Sequence, residues 1–141
     1  MKANELRVTN FVQFKNLNIV PVIFIGYDSV VLITPNGATM TAKLDEINPI
    51  PITEEWLIKF GFTDYRTLPY KTTKKAFYDI KAGVYLDYSG KYRNTKFRIL
   101  YIPKTNTFRV VSPANNSITL RYIHQLQNLY YALTEKELEM K

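Results

Sequence analysis

Residues 30–43 have the sequence VVLITPNGATMTAK. Two short runs, 30–34 and 38–43, flank Pro35-Asn36-Gly37, where Asn-Gly supplies the positive φ angles that a tight hairpin requires. Residues 7–15 and 19–25 also have strand character, and Pro21 favours an edge position or a bulge because proline cannot donate to a ladder. Four short strands joined by tight turns predict a small antiparallel barrel or curled sheet of SH3-like size.

The next segment, NPIPITEEWLIKFG (48–61), predicts an extended connector followed by a short helix. The prolines disfavour helix in residues 48–52. Thr53 is the expected N-cap and Gly61 the C-terminal stop. Trp56, Leu57 and Phe60 share one side, so we expect this helix to plug one end of the first sheet.

The second half predicts strands at 76–80, 84–88, 96–102 and 107–111, separated by Ala82-Gly83, Ser89-Gly90 and residues 103–106. Residues 120–133 predict an amphipathic helix capped by Ser117 or Thr119, with a frayed tail after it. Its apolar stripe comprises Tyr122, Ile123, Leu126, Leu129, Tyr130 and Leu133.

The predicted fold class is therefore α+β with mostly antiparallel strands. It comprises a small barrel-like N-terminal unit, a short plug helix, a second antiparallel sheet and a C-terminal amphipathic helix. We expect a single domain spanning 1–141, with residues 1–62 and 63–141 as its two subunits.

The net charge of +7 is unevenly distributed. Residues 66–109 hold 11 Lys and Arg against Asp79 and Asp87, a net charge of +9. Clustered positive charge attracts anions such as nucleic acid, nucleotides or acidic protein surfaces. The alternative interpretation is a solvated face that only keeps the protein soluble.

Composition argues against an enzyme. The chain has no Cys and one His, His124, which the helix pattern places opposite Leu126 and Leu129, where a solvated or structurally hydrogen-bonded role is expected. No nucleotide-binding or hydrolase motif occurs, and the acidic pairs Asp45-Glu46 and Glu54-Glu55 have structural explanations. We therefore expect no catalysis, no cofactor and no metal. Without a leader-like start or a membrane-length apolar run, the expected location is the cytoplasm, with no membrane partner.

Aromatic residues alternate with basic ones between residues 65 and 98. Tyrosine rings stack on bases while Lys and Arg bind phosphates, as in single-strand binders and nucleotide pockets. Tyr85 and Lys91 flank the Ser89-Gly90 turn and are expected to face one another. The alternative is that half of these rings belong to the core. The predicted ligand-binding residues are Lys74, Lys75, Tyr85, Lys91, Arg93, Lys96 and Arg98.

Three blocks, NELRVTNFV (4–12), INPIPITEEWLIKFGF (47–62) and RYIHQLQNLYYALTEKEL (121–138), resemble a family of small uncharacterised proteins of Bacteroidales phages and prophages. Its members typically show ELRxGNxV, PIPLTEEWLxKFGF and VHQLQNLYxALTGEEL. Thr9 and Glu135 stand where that family usually has Gly, which argues against a positive φ at these two positions. The resemblance implies a phage or mobile-element origin and no established activity.

These observations predict a non-catalytic phage or prophage accessory protein that binds an anionic partner through a basic, Tyr-rich surface. The partner is left open among nucleic acid, a nucleotide-like ligand and an acidic host protein, with host machinery or host defence as the target. The alternative is a protein-interaction or virion-assembly module with no nucleic-acid role. Homo-oligomerisation is also left open.

Overall fold

The chain folds into two compact units built on antiparallel sheets. The computed structural model describes residues 1–15, 18–64, 76–86, 92–111 and 117–141. Unit 1 comprises residues 1–51 and 122–137, and unit 2 comprises residues 52–121 and 138–141. The predicted α+β class with mostly antiparallel strands is confirmed.

Unit 1 contains a curled half-barrel sheet, called sheet 1 below. Its described strands are β1 (Phe11–Phe14), β2 (Asn18–Ile25), β3 (Ser29–Ile33), β4 (Thr39–Lys43) and β5 (Ile47–Asn48). Their order across the sheet is β4-β3-β2-β1-β5. Alternate residues point inward because side chains switch faces at each strand position. The resulting core contains Leu6, Val12, Phe14, Val20, Val22, Val30, Leu32, Ala42 and Ile47.

The predicted hairpin at Pro35-Asn36-Gly37 is present between β3 and β4. Of its turn residues, only Gly37 has a positive φ, at 83°. Thr34 N–H donates to Ala38 O at 2.8 Å, and Gly37 N–H donates to Thr34 O at 2.8 Å. This loop thus uses one left-handed glycine rather than two consecutive positive φ residues.

Pro21 lies in a central strand, because β2 is flanked by β1 and β3. The expected bulge occurs close by, as a register shift between Val22 and Phe24. Val22 N–H donates to Asn10 O on the β1 side. The backbone nitrogen of residue 21 therefore points towards β3, where pairing begins only at Val22. A central proline is tolerated because no ladder bond is required of it.

Unit 2 begins with helix α1 (Glu54–Lys59), whose N-cap is Thr53 as predicted. Thr53 Oγ1 accepts a hydrogen bond from Trp56 N–H at 3.4 Å, and Gly61 ends the helix with a φ of 80°. Sheet 2 has the order β10-β9-β8-β7-β6 among the described residues. Its strands are β6 (Thr63–Asp64), β7 (Ala76–Leu86), β8 (Tyr92–Ile102), β9 (Thr107–Val111) and β10 (Ser117–Leu120).

Strand β7 corrects the predicted turn at Ala82-Gly83. Residues 76–86 form one continuous strand that pairs with β8, and the register shifts between Lys81 and Gly83. A glycine inside a strand accommodates a bulge as readily as it ends the strand. The predicted boundary between two strands is therefore a bulge inside one.

The C-terminal helix, α2 (Ile123–Thr134), starts later than predicted. Ser117 and Thr119, the expected caps, lie in β10, and the N-cap is Tyr122. Tyr122 N–H donates to Gln125 Oε1 at 3.2 Å. The predicted apolar stripe is buried at Ile123, Leu126 and Tyr130 but ends before the exposed Leu133.

The two helices are grouped differently from the predicted subunits 1–62 and 63–141. Helix α1 belongs to unit 2 and helix α2 to unit 1. The tail is not frayed: Leu138 is buried, and Lys141 N–H donates to Lys59 O at 2.8 Å. The prediction grouped each helix with the strands that precede it, whereas α1 belongs with the strands that follow it and α2 with strands near the start of the chain.

Thr9 and Glu135 both adopt the left-handed conformation, with φ values of 78° and 57°. The expectation that these non-glycine residues would avoid positive φ is therefore wrong. Thr9 is held by its N–H bond to Val22 O at 2.7 Å and by its Oγ1 bond to Glu137 Oε2 at 2.8 Å. Glu135 ends α2, with its N–H donating to Tyr131 O at 2.7 Å. Long-range hydrogen bonds compensate for the unfavourable backbone at Thr9, whereas Glu135 makes only the local bond that ends the helix.

We expect Glu135→Gly to stabilise the protein by about 1 kcal/mol, because glycine removes the left-handed strain at an exposed helix end. The measurement is the urea midpoint of unfolding. Glu135→Ala is the matched control, since it removes the same carboxylate but keeps Cβ. An equal gain from Glu135→Ala would contradict backbone strain as the cause.

Candidate functional site

The two units differ sharply in charge. Unit 2 holds 14 Lys and Arg against 6 Asp and Glu, a net charge of +8. Unit 1 holds 5 basic and 6 acidic residues, a net charge of −1. The two values sum to the +7 of the whole chain. Positive charge is therefore a property of one folded unit, and anions are attracted to that unit.

Four of the seven predicted ligand-binding residues lie in β7 and β8. Strand register pairs Tyr85 with Arg93, Lys96 with Lys81 and Arg98 with Asp79. Tyr85 therefore has Arg93, and not the expected Lys91, as its cross-strand neighbour. Lys74, Lys75 and Lys91 fall outside the described residues, so their predicted role stays a prediction.

Strand alternation divides sheet 2 into an inner and an outer face. Phe97 and Ile99 of β8 are buried. The alternate residues Arg98 and Leu100 are partly exposed. The outer face of sheet 2, defined here by Arg98, Leu100, Arg109 and Thr119, continues across three strands. Register pairs Leu100 with Arg109 and Arg109 with Thr119.

Arg98 and Arg109 are diagonal neighbours on this outer face. Arg109 lies directly opposite Leu100, two residues after Arg98, and such diagonal positions are about 7–8 Å apart. Arg109 and Thr119 are exposed. Register therefore places these two arginines on the same face of sheet 2, while Asp79 of β7 is the direct cross-strand neighbour of Arg98.

Arg109 was absent from the predicted site residues. The sequence did contain a signal, since Arg109 alternates with the buried Phe108 and Val110. The missing information was the register between β8 and β9, which brings Arg109 next to the segment containing Arg98. Lys104, exposed in the turn between these strands, adds a further positive charge at one end of β9.

Two aromatic rings of the interleaved segment, Tyr78 and Phe97, belong to the core. Tyr78 is buried and donates its hydroxyl hydrogen to Glu54 Oε1. Phe97 is also buried and contacts Phe62 edge to face, with ring centroids 6.2 Å apart. For these two rings, the alternative of a core role is the correct one. They stabilise unit 2 and do not offer a stacking surface to bases.

His124 is predicted opposite the Leu126 and Leu129 stripe, in a solvated or structurally hydrogen-bonded role, and its burial excludes the solvated alternative. Only 3% of His124 and 1% of Gln127 is exposed. His124 stacks on Tyr122 with ring centroids 5.7 Å apart, and its Nδ1 has no hydrogen-bond partner among the described residues. Helix α2 is therefore buried along its apolar stripe and also along a polar edge that contains His124 and Gln127.

Side chains of α2 satisfy the backbone of the turn before β1. Gln127 Oε1 accepts a hydrogen bond from Phe11 N–H at 2.9 Å, and its Nε2 donates to Thr9 O at 3.2 Å. Asn128 Oδ1 accepts from Asn10 Nδ2 at 2.9 Å. Buried backbone groups need such partners, so this polar edge has a structural role.

Arg7 joins the two ends of unit 1. Its Nη2 donates to Glu137 Oε1 at 2.9 Å, and both side chains are about one third exposed. The guanidinium carbon lies 3.6 Å from the ring centroid of Tyr131. Partial exposure limits what the ion pair contributes, while stacking on tyrosine adds a geometric restraint.

Burial lowers the pKa of His124 below its ordinary value of 6.5, because desolvation disfavours the imidazolium. The Glu5 carboxylate acts in the opposite direction, and the positive N-terminus of Met1 lowers the pKa further. His124 is consequently neutral in the folded protein at pH 7.

The described residues contain no group of three or more His, Asp or Glu side chains arranged to bind a metal ion. Among the same residues, no helix has the length and apolar character needed to cross a membrane. Comparison of the chain with protein-family models, curated proteins and solved structures gives no match.

We expect the free energy of unfolding to decrease as the pH falls below about 6.5. Below this pH, His124 is protonated in the unfolded chain but stays neutral in the folded protein, because its folded pKa is lower. Proton binding therefore favours unfolding until the pH falls below the folded pKa. The slope is at most about 1.4 kcal/mol per pH unit, the limit for one proton. Urea unfolding of wild type between pH 5 and 7 measures it.

His124→Gln is the control for this pH dependence, because it replaces the only histidine with a side chain that does not titrate. Its stability is expected to be nearly constant across the same interval. Identical slopes for the variant and the wild type would assign the pH dependence to other groups.

Proposed function

We propose that unit 2 binds nucleic acid through the phosphate backbone, without catalysis, and that the outer face of sheet 2 is part of the contact surface. The observation that carries this proposal is the separation of charge, +8 in unit 2 against −1 in unit 1. A charge needed only for solubility has no reason to concentrate in one folded unit. A surface that binds a polyanion requires its positive charges to lie close together.

A polymer fits this charge better than a single nucleotide. Exposed basic residues of unit 2 occur on α1, in the β8–β9 turn, on β9 and near the C-terminus: Lys59, Lys104, Arg109 and Lys141. One nucleotide presents few phosphate charges, whereas a strand presents one at every residue along its length. Of the seven predicted residues, Arg98 lies on the outer face of sheet 2, and a phosphate-binding role for Lys74, Lys75, Tyr85, Lys91, Arg93 and Lys96 stays a prediction of this proposal.

The resemblance of three blocks to phage and prophage proteins supports an accessory role for this binding, directed at host machinery or host defence. The alternative, a protein-interaction or virion-assembly module, uses the same basic unit against an acidic protein surface. The two differ in ligand requirement: the first needs only a phosphate backbone, and the second needs a particular protein.

The test is fluorescence anisotropy with single- and double-stranded oligonucleotides of increasing length. We expect dissociation constants of about 10⁻⁴ to 10⁻⁶ M at physiological salt. Affinity is expected to increase with length and to fall steeply with salt. A dissociation constant that does not change with salt concentration would overturn the proposal, as would a mononucleotide that binds as tightly as a long strand.

The double variant Lys104→Gln/Arg109→Gln is expected to reduce the salt slope by about 0.7–0.9 for each phosphate that the protein no longer neutralises. Lys2→Gln/Lys43→Gln is the matched control, because it removes the same charge from exposed residues of unit 1. Its slope is expected to stay close to wild type. Equal reductions in both variants would attribute the effect to net charge alone.

A further inference from the structure

Strand β4 is an edge of sheet 1 among the described residues. Two hydrogen bonds show how its backbone alternates: Thr34 N–H donates to Ala38 O at 2.8 Å, and Leu44 N–H donates to Asp28 O at 3.1 Å. Because ladder bonds of an antiparallel pair form at every second residue, the even-numbered residues of β4 are bonded to β3. The N–H and C=O groups of the odd-numbered residues therefore point to the free side of β4.

This free side is closed at one end and open in the middle. At the closed end, Lys43 N–H donates to Glu46 Oε2 at 2.8 Å, and Lys43 O accepts from Glu46 N–H at 3.0 Å. Thr39 and Thr41 are exposed, and their outward backbone groups have no hydrogen-bond partner within the part of the chain that the structure describes. An edge strand with free backbone groups is a template for the addition of another strand.

The free groups of one β4 are complementary to those of a second β4 in antiparallel orientation. When Met40 of one copy lies opposite Met40 of the other, Thr39 lies opposite Thr41 of the second copy. Each such pair exchanges two hydrogen bonds between its N–H and C=O groups. The two symmetric pairs then satisfy every free backbone group of Thr39 and Thr41 in both copies.

Neighbouring registers satisfy fewer of these groups. A two-fold axis at Thr41 would also require the N–H of Lys43, which already donates within its own copy. An axis at Thr39 would require the N–H of Gly37, which also donates within its own copy. The hydrogen-bonding pattern therefore favours the arrangement with the axis at Met40.

The side chains are compatible with this register. Met40 is partly buried against the core of sheet 1, so the opposed methionines extend that core from one copy to the next. Lys43 lies opposite Gly37 of the second copy, so like charges do not face one another. Unit 1 has a net charge of −1, whereas two units of +8 repel one another.

We propose that β4 pairs with β4 of a second copy of this chain. The product is a two-fold symmetric dimer in which two copies of sheet 1 form one continuous antiparallel sheet. Because the shared strand is short, the dimer is weak and its population depends on protein concentration.

This dimer is independent of the proposed nucleic-acid binding and adds to it. Two copies of the basic unit on one particle increase the effective concentration of the second contact on a long strand. A monomer that binds nucleic acid would contradict only the dimer, and a dimer that does not bind nucleic acid would contradict only the proposed function. The two proposals therefore fail separately.

Sedimentation equilibrium of the full chain, without nucleic acid, is the first experiment. Thr41→Pro removes an N–H that sheet 1 does not use, and with it two of the four intermolecular bonds. It is expected to weaken the dimer about tenfold. Thr41→Val is the matched control, since it keeps the N–H. Wild type that stays monomeric up to about 1 mM would overturn the proposal, as would a Thr41→Val variant weakened as much as Thr41→Pro.

Single cysteines test the register, because the chain has none of its own. In the proposed dimer the Cα atoms of the two residues 40 are about 4.5 Å apart, within the range of a disulfide. Met40→Cys is therefore expected to form a disulfide-linked dimer under mild oxidation, with an unchanged thermal unfolding temperature of the reduced variant as a check on folding. Tyr27→Cys is the control for random collisions, since Tyr27 is 99% exposed and lies outside β4.

The cysteine experiment has two outcomes that would contradict the proposal. Equal crosslinking by Tyr27→Cys and Met40→Cys would assign the disulfide to random collisions. Faster crosslinking by Thr41→Cys than by Met40→Cys would overturn the axis at Met40.

Discussion

Unit 1 depends on hydrogen bonds that connect its first turn to its last helix. The backbone of Thr9 and Phe11 is satisfied by Gln127, a residue 116 positions after Phe11. Backbone groups that lose water on folding cost free energy unless they find a partner. These two bonds connect the segment before β1 to α2, so the first strand and the last helix of unit 1 stabilise one another.

This dependence explains several features that otherwise look unrelated. Thr9 has an unfavourable left-handed backbone because that conformation presents the carbonyl that Gln127 requires. His124 is buried and neutral because the same polar edge of α2 is enclosed. Arg7 and Glu137 join the segments that flank this network. Backbone conformations and buried polar side chains that are locally unfavourable persist where the surrounding contacts require them.

Sequence patterns predicted those elements whose formation depends on neighbouring residues. The Pro35-Asn36-Gly37 hairpin, the Thr53 cap and Gly61 stop of α1, and the alternation in β9 all follow from local rules. The failures share one cause. Gly83 permits a turn or a bulge, and only pairing along the whole of β8 selects the bulge. The segment 117–120, where the helix cap was expected, pairs with β9 instead.

For the candidate site, the sequence by itself determined the amount of positive charge and its position in the chain. Only the tertiary structure decided that this charge belongs to one unit, that Arg109 lies beside Arg98, and that His124 and Tyr78 are core residues. The physical reason is distance. Composition and periodicity act over a few residues, whereas strand register and the burial of α2 depend on contacts between residues far apart in the chain.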